Sequence, residues 1–180
     1  MSKVVVATSG SPDDLIELKD PVAAAILAWL VPGLGHFYQG RSAKGMLFMV
    51  CVLGTFFYGL FLSEGRAVYA SWTDWDKHLP YLCQVGAGLP ALPALVQTYR
   101  VRNGEAPFLG GVMAPPATPG ELNDMHRKLH QYLELGTVYT MIAGLLNVLV
   151  IYDAWGGPVQ LIADDKKRRR DGPQPASPDS

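Results

Sequence analysis

The sequence predicts an all-α fold: an integral membrane bundle of about four transmembrane helices, with an interfacial amphipathic helix before the last one. Three observations predict it. Windows 21–40, 45–62, 79–99 and 135–152 contain no Asp, Glu, Lys or Arg, so the 15 basic and 16 acidic side chains of the 180-residue chain all lie outside them. Uncharged apolar blocks of this length, separated by charged connections, are what a bilayer selects. Tyr38, Tyr58, Trp72, Trp75, Tyr81, Tyr99, Tyr152 and Trp155 stand near window ends or just outside them, where amphipathic rings prefer the headgroup zone. Small side chains recur every fourth position in two windows, giving faces on which helices can approach closely. A formal net charge of −1 excludes nucleic-acid binding carried by net charge, and 2 Cys exclude a secreted disulfide scaffold.

Residues 1–20 read as an exposed N-terminal segment. They carry four acids and no signal-peptide order, and the run Val4, Val5, Val6 is too short to count as a span. Residues 21–158 form the membrane domain, with segments 21–40, 45–62, 79–99 and 135–155. In the first, Asp20 caps a helix with Pro21 at its first position. Its strictly apolar part rises about 21 Å, short of an upright crossing. Pro32, Gly33 and Gly35 loosen its end, so it either spans with a bent last turn, the expectation adopted, or is re-entrant.

The second segment rises about 27 Å, close to the hydrocarbon thickness, with Cys51, Thr55 and Gly59 on one small-residue face. The third contains Pro90, Pro93, Gly86 and Gly88, and reads as a kinked spanning helix whose freed carbonyls neighbours satisfy. The fourth repeats the small face with Gly136, Thr140 and Gly144. Asn147 follows one turn on, where an amide must find a partner inside the bundle.

Before the fourth segment, Thr118, Pro119, Gly120 and Glu121 form a capping box, and Leu122, Met125, Leu129, Tyr132 and Leu133 share a helical face. An amphipathic helix over 119–134 follows, lying along the interface. Residues 159–180, with Lys166, Lys167, Arg168, Arg169 and Arg170 before a Pro/Ser/Asp-rich finish, read as a disordered tail. Four crossings put both termini on one side. Termini in the cytoplasm place nine basic residues inside against six outside, a bias carried by the tail, since without it the count is four to six.

The candidate chemistry is sparse. His126, His130 and Glu134 stand at i, i+4 and i+8, a spacing able to supply metal ligands, but Arg127 and Lys128 oppose a cation, so no metal or cofactor is expected. Asp153, beside Trp155 at the end of an apolar helix, is an ionisable group at membrane depth. No GxSxG, Walker, HExxH or CxxC pattern occurs.

Residues 27–41, LAWLVPGLGHFYQGR, followed by Lys44 and Gly45, resemble the signature of the TM-two domain superfamily, whose members carry a Gly-rich, Phe-Tyr-containing turn between two membrane helices. The motif positions are Pro32, Gly33, Gly35, His36, Phe37, Tyr38, Gly40, Arg41 and Lys44. The resemblance implies an Asp near the end of the partner helix, and Asp153 matches it, two segments later than the superfamily pattern places it. Residues 134–147, ELGTVYTMIAGLLN, are similar to an uncharacterised bacterial family of four-helix membrane proteins, which implies a bacterial inner-membrane location. Neither resemblance implies an activity.

The expected function is that of a non-enzymatic scaffold, assembly or regulatory subunit, acting as a homo- or hetero-oligomer through the small-residue faces. The alternatives are a small transporter or channel component using Gln84, Asn147 and Asp153, or a lipid-acting enzyme built on His36 and Asp153. The expected partners are the bilayer itself and anionic headgroups, reached by Arg41 and Lys44.

Overall fold

The computed structural model describes residues 3–6, 15–18 and 20–156, so the tail expected over 159–180 lies outside the described residues. Two short antiparallel strands come first, β1 (Lys3–Val6) and β2 (Leu15–Leu18), paired from Lys3 with Leu18 to Val6 with Leu15. The valine run, too short to span anything, is a strand. Among the described residues the rest of the regular structure is helical, in seven α-helices and short 3₁₀ turns, apart from one isolated bridge between Trp72 and Lys77.

Two helices dominate: α3 (Ser42–Leu62) and α7 (Gln131–Gly156), 21 and 26 residues long. Both are long and apolar enough to cross a membrane, and among the described residues they are the only two that are. They pack antiparallel, Lys44 meeting Asp153 at one end and Gly59 meeting Gly136 at the other. A Cβ on Gly59 would stand 2.8 Å from the Gly136 carbonyl oxygen, so these glycines bring the two backbones into contact.

The first and third segments do not form the continuous helices expected of them. In the first, α1 (Pro21–Leu30) is capped by Asp20, whose carboxylate accepts from the Val22 amide at 2.9 Å, and it rises for only 10 residues. The chain turns at Gly33 (φ 86°) and returns as α2 (Leu34–Tyr38). Gly35 seats against the Ala24 carbonyl and the Ala28 methyl, which closes α1 and α2 into a helical hairpin. Ala28 lies level with Asn147, and Gln39 with Ala154. Those α7 positions are seven residues apart, about 10 Å along a helix. The hairpin therefore reaches about the middle of the bundle and comes back to the end it started from.

The third segment does the same from the opposite end. Here α4 (Pro80–Gln84) runs into a 3₁₀ turn at Val85–Ala87, reverses at Gly88 (φ 79°, ψ −135°), and continues through a second 3₁₀ turn at Leu89–Ala91 into α5 (Pro93–Arg102). The Gly88 backbone conformation belongs to glycine, and Pro90 and Pro93 remove the donors that a continuous helix needs. The Tyr81 hydroxyl donates to the Ala91 carbonyl at 3.0 Å, tying the outgoing and returning arms together. The tips of the two hairpins meet, Gly88 lying against the Trp29 carbonyl.

Side-chain amides secure this broken backbone. Asn147 Nδ2 donates to the Ala28 carbonyl at 3.2 Å and the Gly86 carbonyl at 2.9 Å, one from each hairpin. Gln84 Nε2 donates to the Ala67 carbonyl and to Thr140 Oγ1, both at 2.9 Å. All three polar side chains are fully buried, so each supplies a partner that water cannot.

The expected amphipathic helix is present but shorter. Helix α6 spans Pro119–Leu129, with Thr118 Oγ1 accepting from the Glu121 amide and Glu121 Oε2 accepting from Ala117. It stops at His130 (φ 42°, ψ −125°) before α7 begins. Its apolar side, Met125 and Leu129, is buried with Leu133 against Tyr69, so the chain's own connection covers the face expected to lie on an interface, while Tyr132 is exposed.

Candidate functional site

The turn motif and Asp153 meet at the bundle end where α2 leaves and α3 begins. Gly33, Gly35 and Gly45 permit this. Gly33 and Gly45 press together, and Phe37 lies across Gly45, so a side chain at any of the three would push the turn away from α1 and α3. The turn then aims His36, Gln39, Arg41 and, one turn into α3, Lys44 at the last turn of α7.

His36 is fully buried, tilted against the Phe48 ring at a centroid distance of 5.0 Å, and its Nε2 lies 2.7 Å from Asp153 Oδ2. Lys44 Nζ donates to both carboxylate oxygens, at 2.6 Å to Oδ2 and 2.8 Å to Oδ1. Arg41 stands 4.0 Å from Oδ2, and Gln39 Nε2 donates to the Ala154 carbonyl at 2.6 Å, satisfying one of the acceptors left open where α7 ends. One carboxylate thus holds an imidazole and two permanent cations, and cations also suit the negative end of the α7 dipole.

Chemically this is a fastening. The Asp153 side chain is 39% exposed and the Arg41 and Lys44 side chains about a third exposed, so charge screening is partial. The buried His36–Asp153 bond is the part that water cannot replace. His36 Nδ1 has no hydrogen-bond partner and is sealed from solvent, which leaves the ring one anchoring bond, to Asp153.

The structure places the other predicted residues as follows. Gly59, Gly136, Thr140 and Gly144 are spent inside the chain, Gly144 against the Cys83 carbonyl. Cys51 faces outward and Thr55 is half-buried, its hydroxyl donating to the Cys51 carbonyl at 2.7 Å. Pro32 is buried in the turn and Gly40 is exposed after it with φ 79°. Tyr38 is half-buried. The His126, His130, Glu134 face is broken because His130 leaves the helix, and among the described residues no group of three His, Cys, Asp or Glu is arranged to hold a metal.

Sequence reasoning missed Gln39, the residue that closes the end of α7, and the cluster of Tyr69, Asp76 and His78 in the connection between α3 and α4. Nothing in the local pattern marks a loop Asp or His as buried. No curated protein and no solved structure matches the chain. The family model that does match covers residues 23–167, from the first helix past the Asp153 fastening, and it is that of a family of unknown function, DUF6677, to which the chain belongs.

Proposed function

We propose that the chain is an integral membrane protein with two crossing helices and two half-depth hairpins, one entering from each face, and that it acts without catalysis by associating with another membrane protein. The single observation carrying this is the exposure of α3 and α7. Only 22% and 33% of their apolar windows are buried within the chain, whereas the core helix of a water-soluble protein is mostly covered. Lipid or another helix must cover the rest. The resemblance of residues 27–45 to the TM-two superfamily supports a membrane location, though not the half-depth hairpin before the turn.

Association by scaffolding, in assembly or as a regulatory subunit, is supported by what the polar groups do. The amide nitrogens of Gln84 and Asn147 and the Asp153 carboxylate are bonded to the chain itself, which leaves the outer surface as the working surface. Because Gly59, Gly136 and Gly144 pack internally, the remaining small-residue approach is on the outside of α3. There Cys51 and Gly54 are exposed among Leu47, Val50 and Tyr58, and a Cβ on Gly54 would meet nothing within 4 Å. Mild oxidation of native membranes tests this through Cys51. The expected product is a disulfide-linked species of higher mass that is lost in Cys51→Ser. A chain that remains monomeric, with no neighbour captured by amine or photo-crosslinkers either, overturns the association.

A transporter component is the second reading. It is favoured by the meeting of two broken hairpins at mid-depth, the arrangement in which transporters place solute and ion sites. Solute flux in proteoliposomes of the unaltered chain supports it over scaffolding, and absence of flux removes it.

A further inference from the structure

The connection after α5 carries a short loop whose backbone is closed within the chain while its tip is bare. Gln97, fully buried on α5, grips it with both ends of its amide. Its Nε2 donates to the Phe108 carbonyl at 2.6 Å and the Val112 carbonyl at 2.8 Å, and its Oε1 accepts from the Phe108 amide at 3.1 Å. The Val112 amide donates to the Leu109 carbonyl, and the Gly111 carbonyl accepts from the Ala114 amide. The Met113 amide donates to the Gly65 carbonyl at 2.7 Å, tying the far end of the loop to the residues that follow α3. The carbonyls of Phe108, Leu109, Gly111 and Val112 are therefore all satisfied without water. A loop in bulk solvent has no need of this, whereas a loop against lipid does.

The tip itself is apolar. Leu109 is 61% exposed and Phe108 stands beside it, also exposed. Leu109 holds φ 53°, a left-handed backbone that a leucine rarely adopts. The strain sets the leucine side chain outward, where the chain itself does not cover it. The same apolar surface continues on the outer side of α5, where Leu95, Val96 and Tyr99 are exposed. Depth follows from the clamp. Helix α5 climbs from the hairpin tip to Arg102, and Gln97 lies five positions, about 7 Å, short of that end. By holding Phe108, Gln97 draws the loop back from the level of Arg102 toward the middle of the bundle.

We propose that the loop over 108–111 is a lipid anchor, with Phe108 and Leu109 entering the boundary between headgroups and acyl chains beside the outer face of α5. Three observations point to lipid as the occupant: the self-satisfied carbonyls, the depth at which Gln97 holds the loop, and the continuity of its tip with the exposed side of α5. Arg100 and Arg102, at the end of α5, then stand at headgroup level, where their charges stay hydrated. The anchor rests on the membrane reading above. It adds to that reading a non-helical contact with the bilayer, fixed in place by one buried glutamine.

The test uses the full-length chain in a Cys51→Ala, Cys83→Ala background. Leu109→Cys is labelled in detergent with an environment-sensitive nitrobenzoxadiazole fluorophore and reconstituted into phosphatidylcholine vesicles. Quenching by iodide in the water is compared with quenching by phosphatidylcholine that carries a nitroxide high on its acyl chain. Glu105→Cys, exposed on the approach to the loop, is the water reference, and Phe61→Cys, exposed in the last turn of α3, is the lipid reference. The expected result is emission from Leu109→Cys to the blue of Glu105→Cys, lost to the nitroxide lipid as at Phe61→Cys and largely kept in iodide. Iodide quenching equal to that of Glu105→Cys overturns the anchor, and so does silence toward both quenchers, which a covering protein would give. Phe61→Cys separates the two readings. If it is quenched by the nitroxide lipid while Leu109→Cys is not, only the anchor falls, and if iodide quenches both, the membrane reading falls with it.

Discussion

Asp153 is where a single side chain carries the most consequence. Asp153→Asn removes the charge that holds Lys44, leaves Arg41 facing a neutral amide, and weakens the one anchoring bond of buried His36. For a partly exposed cluster with one buried member, the expected cost is about 1–3 kcal/mol. The measurement is a lower midpoint of thermal unfolding in detergent, with Lys44→Met costing less than Asp153→Asn, because the Lys44 side chain is about a third exposed and His36 is not. The sequence marked Asp153 as an acid at the end of an apolar run, and marked His36, Arg41 and Lys44 by the turn. That they meet was carried only by the resemblance and by the enzyme alternative that paired His36 with Asp153, because 117 positions separate the two and no local pattern encodes a contact between distant helices.

His78 gives a second effect at this scale, with a definite sign. Burial sets its folded pKa below the ordinary value, Asp76 offsetting part of that shift. Above about pH 6.5 the ring is neutral folded or unfolded and pH has no effect through it. Below that, the unfolded chain takes up the proton first, so stability falls as pH drops toward the folded pKa, by at most about 1.4 kcal/mol per pH unit. Melting between pH 7 and pH 5 reads this as a downward slope, shallower in His78→Phe. Tyr69 beside it is pushed upward by burial and then by Asp76, so its hydroxyl keeps its proton throughout that range.

Among the elements, α3 and α7 were legible because continuous apolar runs of bilayer length have few other solutions; Gly136, Thr140 and Gly144 of α7 pack inside the chain, whereas of the small face expected on α3 only Gly59 does, Cys51 facing outward. The first and third segments carried their breaks openly, in Pro32, Gly33, Gly88, Pro90 and Pro93. Glycine and proline report that a helix is interrupted, not whether the chain then continues forward or doubles back. Doubling back depends on Gly35 meeting α1 and on Tyr81 meeting Ala91, both tertiary facts. The hairpins stand on Asn147. In Asn147→Leu the Ala28 and Gly86 carbonyls lose their shared donor, at about 1–3 kcal/mol for each carbonyl left buried, and Gly136→Leu drives α3 from α7 by steric overlap. Both variants are expected to give lower yield and earlier unfolding than Leu149→Ala, a substitution on the exposed side of α7.

For the molecule as a whole, the proposed insertion, with two crossings and two half-depth hairpins, has its own order of surfaces. The connections 63–79 and 103–118 lie together at one end, and the turn over 31–41, the start of α3 and the end of α7 lie at the other. Four crossings would instead separate residues 63–79 from residues 103–118. The most direct measurement is labelling of single cysteines by a membrane-impermeant maleimide, in oriented vesicles of a Cys51→Ala, Cys83→Ala background. Two-crossing insertion gives Asp74→Cys and Glu105→Cys labelled from the same face and Ser42→Cys from the opposite one. Labelling of Asp74→Cys and Glu105→Cys from opposite faces contradicts it.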